Sequence, residues 1–174
     1  MAITSPERLW WKQPVCGQEK LWISIALVWC IFITAIMPYW HFFGKQNPSQ
    51  EYYRVSPVKY GAIVDKFTAK HKVGEEAGIP VVDPPPGDIF IAGSQFVWHP
   101  ILKLKSGRTY RLHLSSTDMV HGFSVYPMNM NFMAVPDMDY VLTIQPDKAG
   151  EFFIICNEFC GGGHHTMTGK IIVS

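Results

Sequence analysis

Clusters of lysine and arginine are missing from this sequence, whose 15 basic and 14 acidic residues leave a formal net charge of +1. Phosphate binding needs a concentrated basic surface, so nucleic acid is not an expected partner. Cysteine is scarce as well: Cys16 and Cys30 lie in the N-terminal part, and Cys156 and Cys160 lie in one late segment. This distribution does not resemble a disulfide framework. Internal repeats and low-complexity segments are also absent.

Formal charge is absent from the run between Leu21 and Phe43, apart from the titratable His41. As a helix this run would be about 35 Å long, slightly more than the roughly 30 Å hydrocarbon core of a membrane. Trp22 and the aromatic residues at 39–43 occupy its two ends, as interfacial residues do. A cleaved signal peptide is the alternative, but the run is too long and lacks a small-x-small motif near its end. We predict an N-terminal lead-in at residues 1–20 and a transmembrane helix at residues 21–43.

The segment 44–87 changes to a composition rich in Pro, Gly, Lys and Glu. Ser56 and Pro57 are typical of a helix start, apolar residues follow at mostly helical spacing, and Gly74 is a stop signal. His71 lies between two lysines and is interpreted as a solvated residue. The Pro-rich run at 84–87 is typical of a stiff connection. We predict a linker at 44–87 with a short helix near 57–72.

Beyond Asp88 the sequence consists of short β-rich segments, and Gly, Pro or Asp separate many of them. Several of these segments alternate apolar and polar residues, as half-buried strands do. They lie at 89–91, 96–98, 101–105, 110–114, 123–126, 132–135, 140–144, 152–155 and 170–173. The pattern predicts a mainly β fold, an antiparallel sandwich or barrel over residues 88–174.

The segment from Cys156 to Met167 concentrates metal-binding side chains in one loop, with the spacing Cys-x3-Cys-x3-His-x2-Met. Sulfur and imidazole ligands favour copper, whereas thioether is a poor zinc ligand. Three glycines at 161–163 allow the sharp turn that would bring His164 and Met167 back over the two thiols. The alternative is a small-ring disulfide or two buried free thiols, but neither requires His and Met at fixed offsets. Cys16 and Cys30 are interpreted as residues without a metal role.

One more ligand has to come from elsewhere, and His121 is the best candidate because it begins a predicted strand 35 residues before Cys156. His113 and His99 are interpreted as surface or hydrogen-bonded residues. His165 competes with His164, but the spacing from Cys160 favours His164, which leaves His165 facing solvent or supporting the site from behind.

The motif Val120-His121-Gly122-Phe123 and the segment Cys156–Met167 together resemble the binuclear CuA site of cytochrome c oxidase subunit II. The resemblance covers residues 88–174 and implies a cupredoxin-like fold, so that these residues would form a CuA domain. A single N-terminal helix, instead of a two-helix hairpin, resembles the compact subunit II of the B-type (ba-type) heme-copper oxidases of bacteria and archaea.

This resemblance implies bridging thiolates from Cys156 and Cys160, with His121 and Met167 completing one copper. His164 and the main-chain carbonyl of Glu158 would complete the other. Weak thioether and carbonyl ligands tune the potential, as weak axial ligands do in blue copper sites.

By the same resemblance, the chain takes electrons from cytochrome c and passes them to the heme of subunit I, which reduces O2 to water in the respiratory chain. A CuA subunit of a heme-copper nitric oxide reductase is the alternative. A membrane-tethered carrier with a single copper is a third interpretation, but one copper would need only one of the two cysteines.

Several side chains beside the motif have two interpretations each. The Glu158 carboxylate either helps to hold a magnesium ion against subunit I, as in the larger A-type subunits, or is simply exposed. Trp98 or Phe96 is expected where electrons enter, although either could be a core aromatic. Five methionines are interpreted as a flexible docking surface or as core residues, at 119, 128, 130, 133 and 138. Asp137 and Asp139 are candidates for acidic steering of a basic donor.

Charge alone sets the orientation of the predicted helix only weakly. Arg8, Lys12 and Lys20 precede the helix, whereas other basic residues follow it at a greater distance. A redox copper site is better served outside the cytoplasm. We therefore expect a single-pass protein of a bacterial or archaeal cell membrane, with a cytoplasmic N-terminus and an extracytoplasmic copper domain.

Overall fold

The computed structural model describes Lys12, residues 14–44 and residues 51–174. The chain divides into two compact units, residues 1–47 and 48–174. The first contains helix α1. The second contains helix α2, twelve strands and a short 3-10 turn. The bounds are α1 Gly17–Phe43, β1 Glu51–Arg54, α2 Pro57–His71, β2 Lys72–Glu76, β3 Ile79–Val82, β4 Asp88–Ser94, β5 Val97–His99, β6 Ile101–Leu104, β7 Tyr110–Ser116, β8 His121–Tyr126, β9 Met130–Ala134, β10 Met138–Ile144, β11 Gly150–Ile155, the 3-10 turn His164–Thr166 and β12 Thr168–Val173.

Helix α1 begins at Gly17, four residues earlier than predicted, so the end of the lead-in predicted at 1–20 is helical. The Cys16 N–H donates to the Glu19 carboxylate at 2.8 Å, which satisfies one of the free N–H groups at a helix start. None of the residues of α1 is buried, and the helix is long and apolar enough to cross a membrane. Apart from Lys12 and residues 14–16, the rest of the lead-in lies outside the described residues.

Helix α2 lies where the short helix was predicted, with Ser56 as its N-cap and Pro57 at its first position. Its buried residues recur at helical spacing, at Tyr60, Val64, Phe67 and Thr68. The Tyr60 hydroxyl donates to the main-chain carbonyl of Ile91 in β4 at 3.0 Å. This face therefore covers the β domain.

Three strands of the β domain lie within the described part of the segment 44–87, for which the sequence predicts a linker. Strand β1 pairs with β10, and β3 pairs with β2 on one side and with β6 on the other. All five residues of β2 are exposed, so their sequence carries no inward apolar pattern. Such edge strands are held mainly by main-chain hydrogen bonds, which composition does not reveal.

The twelve strands form two sheets, one in the order β1-β10-β7-β4-β5 and the other in the order β2-β3-β6-β12-β11-β8-β9. All nine segments predicted as strands are present as β4 to β12, and the β-sandwich is confirmed. Most pairs are antiparallel, but β4 with β7, β6 with β12 and β3 with β6 are parallel. Strand patterns alone do not give the direction of a partner.

Inward-facing residues of both sheets build one apolar core around the fully buried Trp98. Strand β12 shows how the sequence produces this core: Gly169, Ile171 and Val173 are buried, and the residues between them are not. This alternation follows from the two-residue period of a strand. The core thus provides a rigid frame for the loops at its ends.

The frame brings two distant segments of the chain together at one end of the seven-stranded sheet. Strand β8 pairs antiparallel with β11, so the start of β8, at His121, lies beside the end of β11. The loop from Cys156 to Met167 leaves β11 there and returns into β12. Its base is closed by a hydrogen bond from the Cys156 N–H to the Met167 carbonyl at 3.2 Å.

Candidate metal centre

Two buried thiols form the middle of the site. The Sγ atoms of Cys156 and Cys160 lie 3.8 Å apart, and both side chains are almost fully buried. A disulfide needs about 2 Å between sulfurs, and both residues are free cysteines. Gly161 follows with a φ of +122°, which only glycine adopts readily. The disulfide alternative is therefore not the arrangement in this structure.

The other predicted donors surround these thiols. The Nδ1 atom of His121 lies 3.9 Å from the Cys156 sulfur, and the Nδ1 atom of His164 lies 3.7 Å from the Cys160 sulfur. The Met167 sulfur lies 3.7 Å from the Cys160 sulfur, and the Glu158 carbonyl oxygen lies 3.3 Å from the Cys156 sulfur. The other four predicted donors thus surround the two thiol sulfurs.

This donor set fits copper, because it combines two thiols, two imidazoles, a thioether and one main-chain oxygen. Within the described residues, one group of three or more His, Cys, Asp or Glu side chains has metal-binding geometry. That group is His121, Cys156 and Cys160, all buried. The structure therefore supports a single candidate metal centre in the described part of the chain.

Asp118 fixes the orientation of His121. Its carboxylate lies 2.7 Å from the Nε2 atom of His121, which leaves Nδ1 facing the thiols. Partial burial raises the pKa of Asp118, but hydrogen bonds from His121 and from the main-chain N–H groups of Gln95 and Met119 outweigh it, so its pKa lies below the ordinary value. Asp118 is therefore an anion at neutral pH, and it holds the ring of a metal ligand as carboxylates commonly do.

Burial is also the main influence on the second thiol. It raises the pKa of Cys160 to about 11, and the neighbouring Cys156 adds to the effect. The thiol therefore keeps its proton at neutral pH in the metal-free protein. Since a metal binds the thiolate, metal binding here must release that proton.

The two predicted aromatic residues occupy different positions. Trp98 is fully buried and meets the His121 ring edge-on, with centroids 6.1 Å apart. Phe96 is half-buried in the turn between β4 and β5, and a Cβ at Gly163 would collide with its ring. Phe96 thus touches the loop from Cys156 to Met167, which we call the metal-binding loop, from outside. Trp98 supports this loop from the core.

Glu158 presents different groups to the site and to solvent. Its carbonyl oxygen contacts the Cys156 thiol, while the residue as a whole is exposed. Within the described residues its carboxylate belongs to no group with metal-binding geometry. A magnesium ion at this carboxylate would therefore need other ligands, such as water or groups of a partner chain.

Phe159, to which the sequence pattern assigns no role, is 81% exposed beside the site. Its ring meets that of His164 edge-on at 5.8 Å. The signal in the sequence was an apolar residue between the predicted ligands Glu158 and Cys160, in a loop that is too short to bury its side chain. His165 is exposed in the 3-10 turn, so His164 is the histidine that lies at the thiols.

Other predictions about the surface are corrected or divided. Asp139 is buried and lies 2.8 Å from the Nδ1 atom of His113, so the prediction that it steers a donor is wrong, and His113 is a hydrogen-bonded residue. Of the five methionines, Met119, Met128 and Met133 are exposed, whereas those at 130 and 138 are partly covered. Three of these methionines are therefore available at the surface, and the other two are partly packed against the domain.

The cytochrome c oxidase subunit II periplasmic domain family matches residues 97–174. Cytochrome c oxidase subunit 2 of Thermus thermophilus is 26% identical over 166 residues, which is 91% of this chain and 93% of that protein. Over these residues the chain is similar to cytochrome c oxidase subunit II. The similarity therefore extends over most of both chains.

Two solved structures share the fold of this chain. A chain of a heme-copper terminal oxidase dimer aligns with 90% of this chain and 99% of its own, with a TM-score of 0.55 and 23% identity. A rusticyanin variant aligns with 71% of this chain and 98% of its own, with a TM-score of 0.51 and 18% identity. At these identities the likeness concerns the fold, which is cupredoxin-like. The cluster of His121, Cys156 and Cys160 fits a copper site in such a fold.

Proposed function

We propose that this subunit accepts electrons from cytochrome c at a binuclear CuA centre and passes them to the heme of a catalytic subunit I. That subunit would reduce O2 to water. The observation that carries the proposal is the meeting of four further donors around two thiols whose sulfur atoms lie 3.8 Å apart. A second thiol at this distance has no role in a site for one copper, which needs only one thiolate.

Each donor has a defined task in this proposal. Cys156 and Cys160 would hold both ions as shared thiolates, His121 and Met167 would complete one ion, and His164 with the Glu158 carbonyl would complete the other. When bound, the two ions supply a one-electron store. The protein contributes rigid ligands: the buried thiols and the ring held by a carboxylate change position little, so little reorganisation opposes electron transfer.

Of the two predicted aromatic residues, Phe96 is the better candidate for the point where electrons enter. Trp98 is fully buried in the core, so a donor protein cannot touch it. Phe96 is partly accessible and packs against the glycines of the metal-binding loop. Phe96→Leu is expected to leave copper content unchanged and to slow reduction by cytochrome c. An unchanged rate would assign this role to the exposed Phe159 or to another residue.

Helix α1 would anchor the subunit in a bacterial or archaeal cell membrane as a single pass, with the N-terminus in the cytoplasm. The copper domain would then lie on the extracytoplasmic side, where cytochrome c docks. Labelling of Asp147→Cys, at the opposite end of β11 from the metal-binding loop, with a membrane-impermeant thiol reagent tests this orientation. The exposed native thiol of Cys16 is replaced by Ser in the same protein, so that it does not add to the labelling. Labelling from the cytoplasmic side alone would contradict it.

Metal analysis tests the centre itself. We expect two copper ions per chain and a mixed-valence spectrum in the wild type. Cys160→Ser should abolish that spectrum because a shared ligand is lost. Cys30→Ser is the matched control, since Cys30 is an exposed thiol of α1, and it should behave as the wild type. One copper per chain with a single intense blue band would contradict the proposal.

The reaction of the whole complex is tested separately. The complex purified with its large subunit should consume O2 with reduced cytochrome c as donor. Rapid consumption of NO with negligible use of O2 would instead establish a nitric oxide reductase. Magnesium analysis of the same preparation, compared with Glu158→Gln, tests whether the carboxylate holds that ion, because only a carboxylate-bound magnesium is lost in the variant.

A further inference from the structure

The turn between β4 and β5 reaches the metal-binding loop through Gln95, whose side chain has no role in the proposed function. Its side-chain amide donates to the Cys160 carbonyl at 2.6 Å and lies 3.4 Å from the Met119 sulfur. The close approach depends on Gly161, where a Cβ would lie 2.9 Å from the Gln95 Nε2 atom. A side chain at position 161 would therefore displace this amide.

Gln95 also contacts the segment that carries the other histidine. Its main-chain N–H donates to the Asp118 carboxylate at 2.7 Å, and the other oxygen of that carboxylate lies 2.7 Å from His121 Nε2. One residue thus bonds to the Cys160 segment through its side chain and to the His121 segment through its main chain. These two segments are far apart in sequence, and each supplies part of the donor set.

We propose that Gln95 is a positioning residue that holds the Cys160 and His121 parts of the donor set at a fixed separation. The inference rests on the proposed copper centre. The amide anchors the Cys160 carbonyl, which limits the swing of the loop that carries Cys160, His164 and Met167. Without this bond, the packing of Phe96 against Gly161 and Gly163 would remain between the turn and the loop, and we expect the separation of the donors to vary more.

Gln95→Met tests the role because methionine keeps the length of the side chain and removes its N–H donors. Gln95→Glu is the second variant: an ionised carboxylate keeps the shape and likewise cannot donate. Both variants retain the main-chain bond to Asp118. Gln145→Met is the matched control, since the Gln145 amide donates to the Gly107 carbonyl at 3.2 Å, a bond of the same type away from the metal-binding loop.

We expect copper to be extracted by a chelator roughly 2- to 10-fold faster from both Gln95 variants, as the loss of one neutral hydrogen bond predicts. The copper hyperfine pattern and the reduction potential should also change. The unfolding midpoint of the copper-free Gln95→Met protein should match that of Gln145→Met. These readouts separate positioning from stability, because a merely structural role would shift the midpoint and leave the spectrum and the potential unchanged.

Two results would overturn the inference. One is that both Gln95 variants show the same rate of copper extraction, the same copper hyperfine pattern and the same reduction potential as Gln145→Met. The other is a lowered midpoint with an unaltered spectrum and potential. A wild-type protein that does not bind two coppers would instead refute the proposed function, so the two failures are distinguishable.

Discussion

Replacement of Asp118 gives a quantitative test of how the site is built. Its carboxylate accepts from the fully buried His121 ring and from two main-chain N–H groups, those of Gln95 and Met119. Asp118→Asn keeps the shape of the side chain and removes its charge. Asp118→Ala removes all of these bonds and leaves the His121 Nε2 atom buried without an acceptor.

The expected magnitude follows from the kind of bond that is lost. A hydrogen bond to a charged group contributes about 1.5–3 kcal/mol when buried. The side chain of Asp118 is 31% exposed, so solvent screening favours the lower half of that range. Since about 1.4 kcal/mol corresponds to a factor of ten, Asp118→Ala should weaken copper binding roughly tenfold or somewhat more. Asp118→Asn should have a smaller effect, because the amide oxygen can still accept from His121.

Competition with a copper chelator measures this affinity, and thermal unfolding of the copper-free protein measures stability. Asp147→Asn is the control, since Asp147 is an exposed aspartate just before β11, and it should leave both quantities unchanged. The affinity should decrease in the order wild type, Asn variant, Ala variant. Equal affinities for the Ala variant and the wild type would refute the conclusion that the carboxylate orients the His121 ring.

Three further predictions concern packing and pH. Gly169→Ala should lower the free energy of unfolding by about 1–3 kcal/mol in thermal unfolding, because the new Cβ would lie 2.6 Å from the Trp98 Cβ. Gly74→Ala is the control, since a Cβ there meets nothing within 4 Å, and it should change the free energy by less than about 1 kcal/mol. Equal losses in the two variants would contradict the conclusion that the contact with Trp98 causes the effect. The pKa of Cys160 is raised in the folded protein, so its protonated thiol stabilises the folded copper-free protein at pH values below the pKa of 9.0 in the unfolded chain. Urea titrations should therefore show stability falling as the pH rises from 9 to 11. Bound copper should remove this pH dependence. Burial lowers the pKa of His99, so stability should fall as the pH drops through about 6.5, where the unfolded chain takes up the proton. If a His99→Gln variant loses stability with the same dependence on pH, other groups cause the loss.

The strands of the core were predictable because each carries its own pattern of alternating side chains. Strands β4 to β12 lie where these patterns placed them. Strands β1 to β3 were not predicted, because main-chain hydrogen bonds to other strands of the sheets hold them in place. The assignment of Asp139 to the surface failed for a related reason: only the folded sheet places it against His113.

By itself, the sequence determined the kind of site. The offsets between Cys156, Cys160, His164 and Met167 are local, so one loop carries four donors whatever surrounds it, and the apolar run before Gly44 predicts a helix without reference to the rest of the chain. These features depend on covalent spacing and on side-chain chemistry.

Only the tertiary structure decided which distant groups complete and support that site. The pairing of β8 with β11 brings His121 to the thiols, and the folding of the β4–β5 turn over the loop places Gln95 on the Cys160 carbonyl. It also buries Trp98 and leaves Phe159 exposed, although both are aromatic residues near ligands in the sequence. The physical reason is that burial and hydrogen bonding across strands depend on which surfaces meet, and that is a property of the whole sandwich.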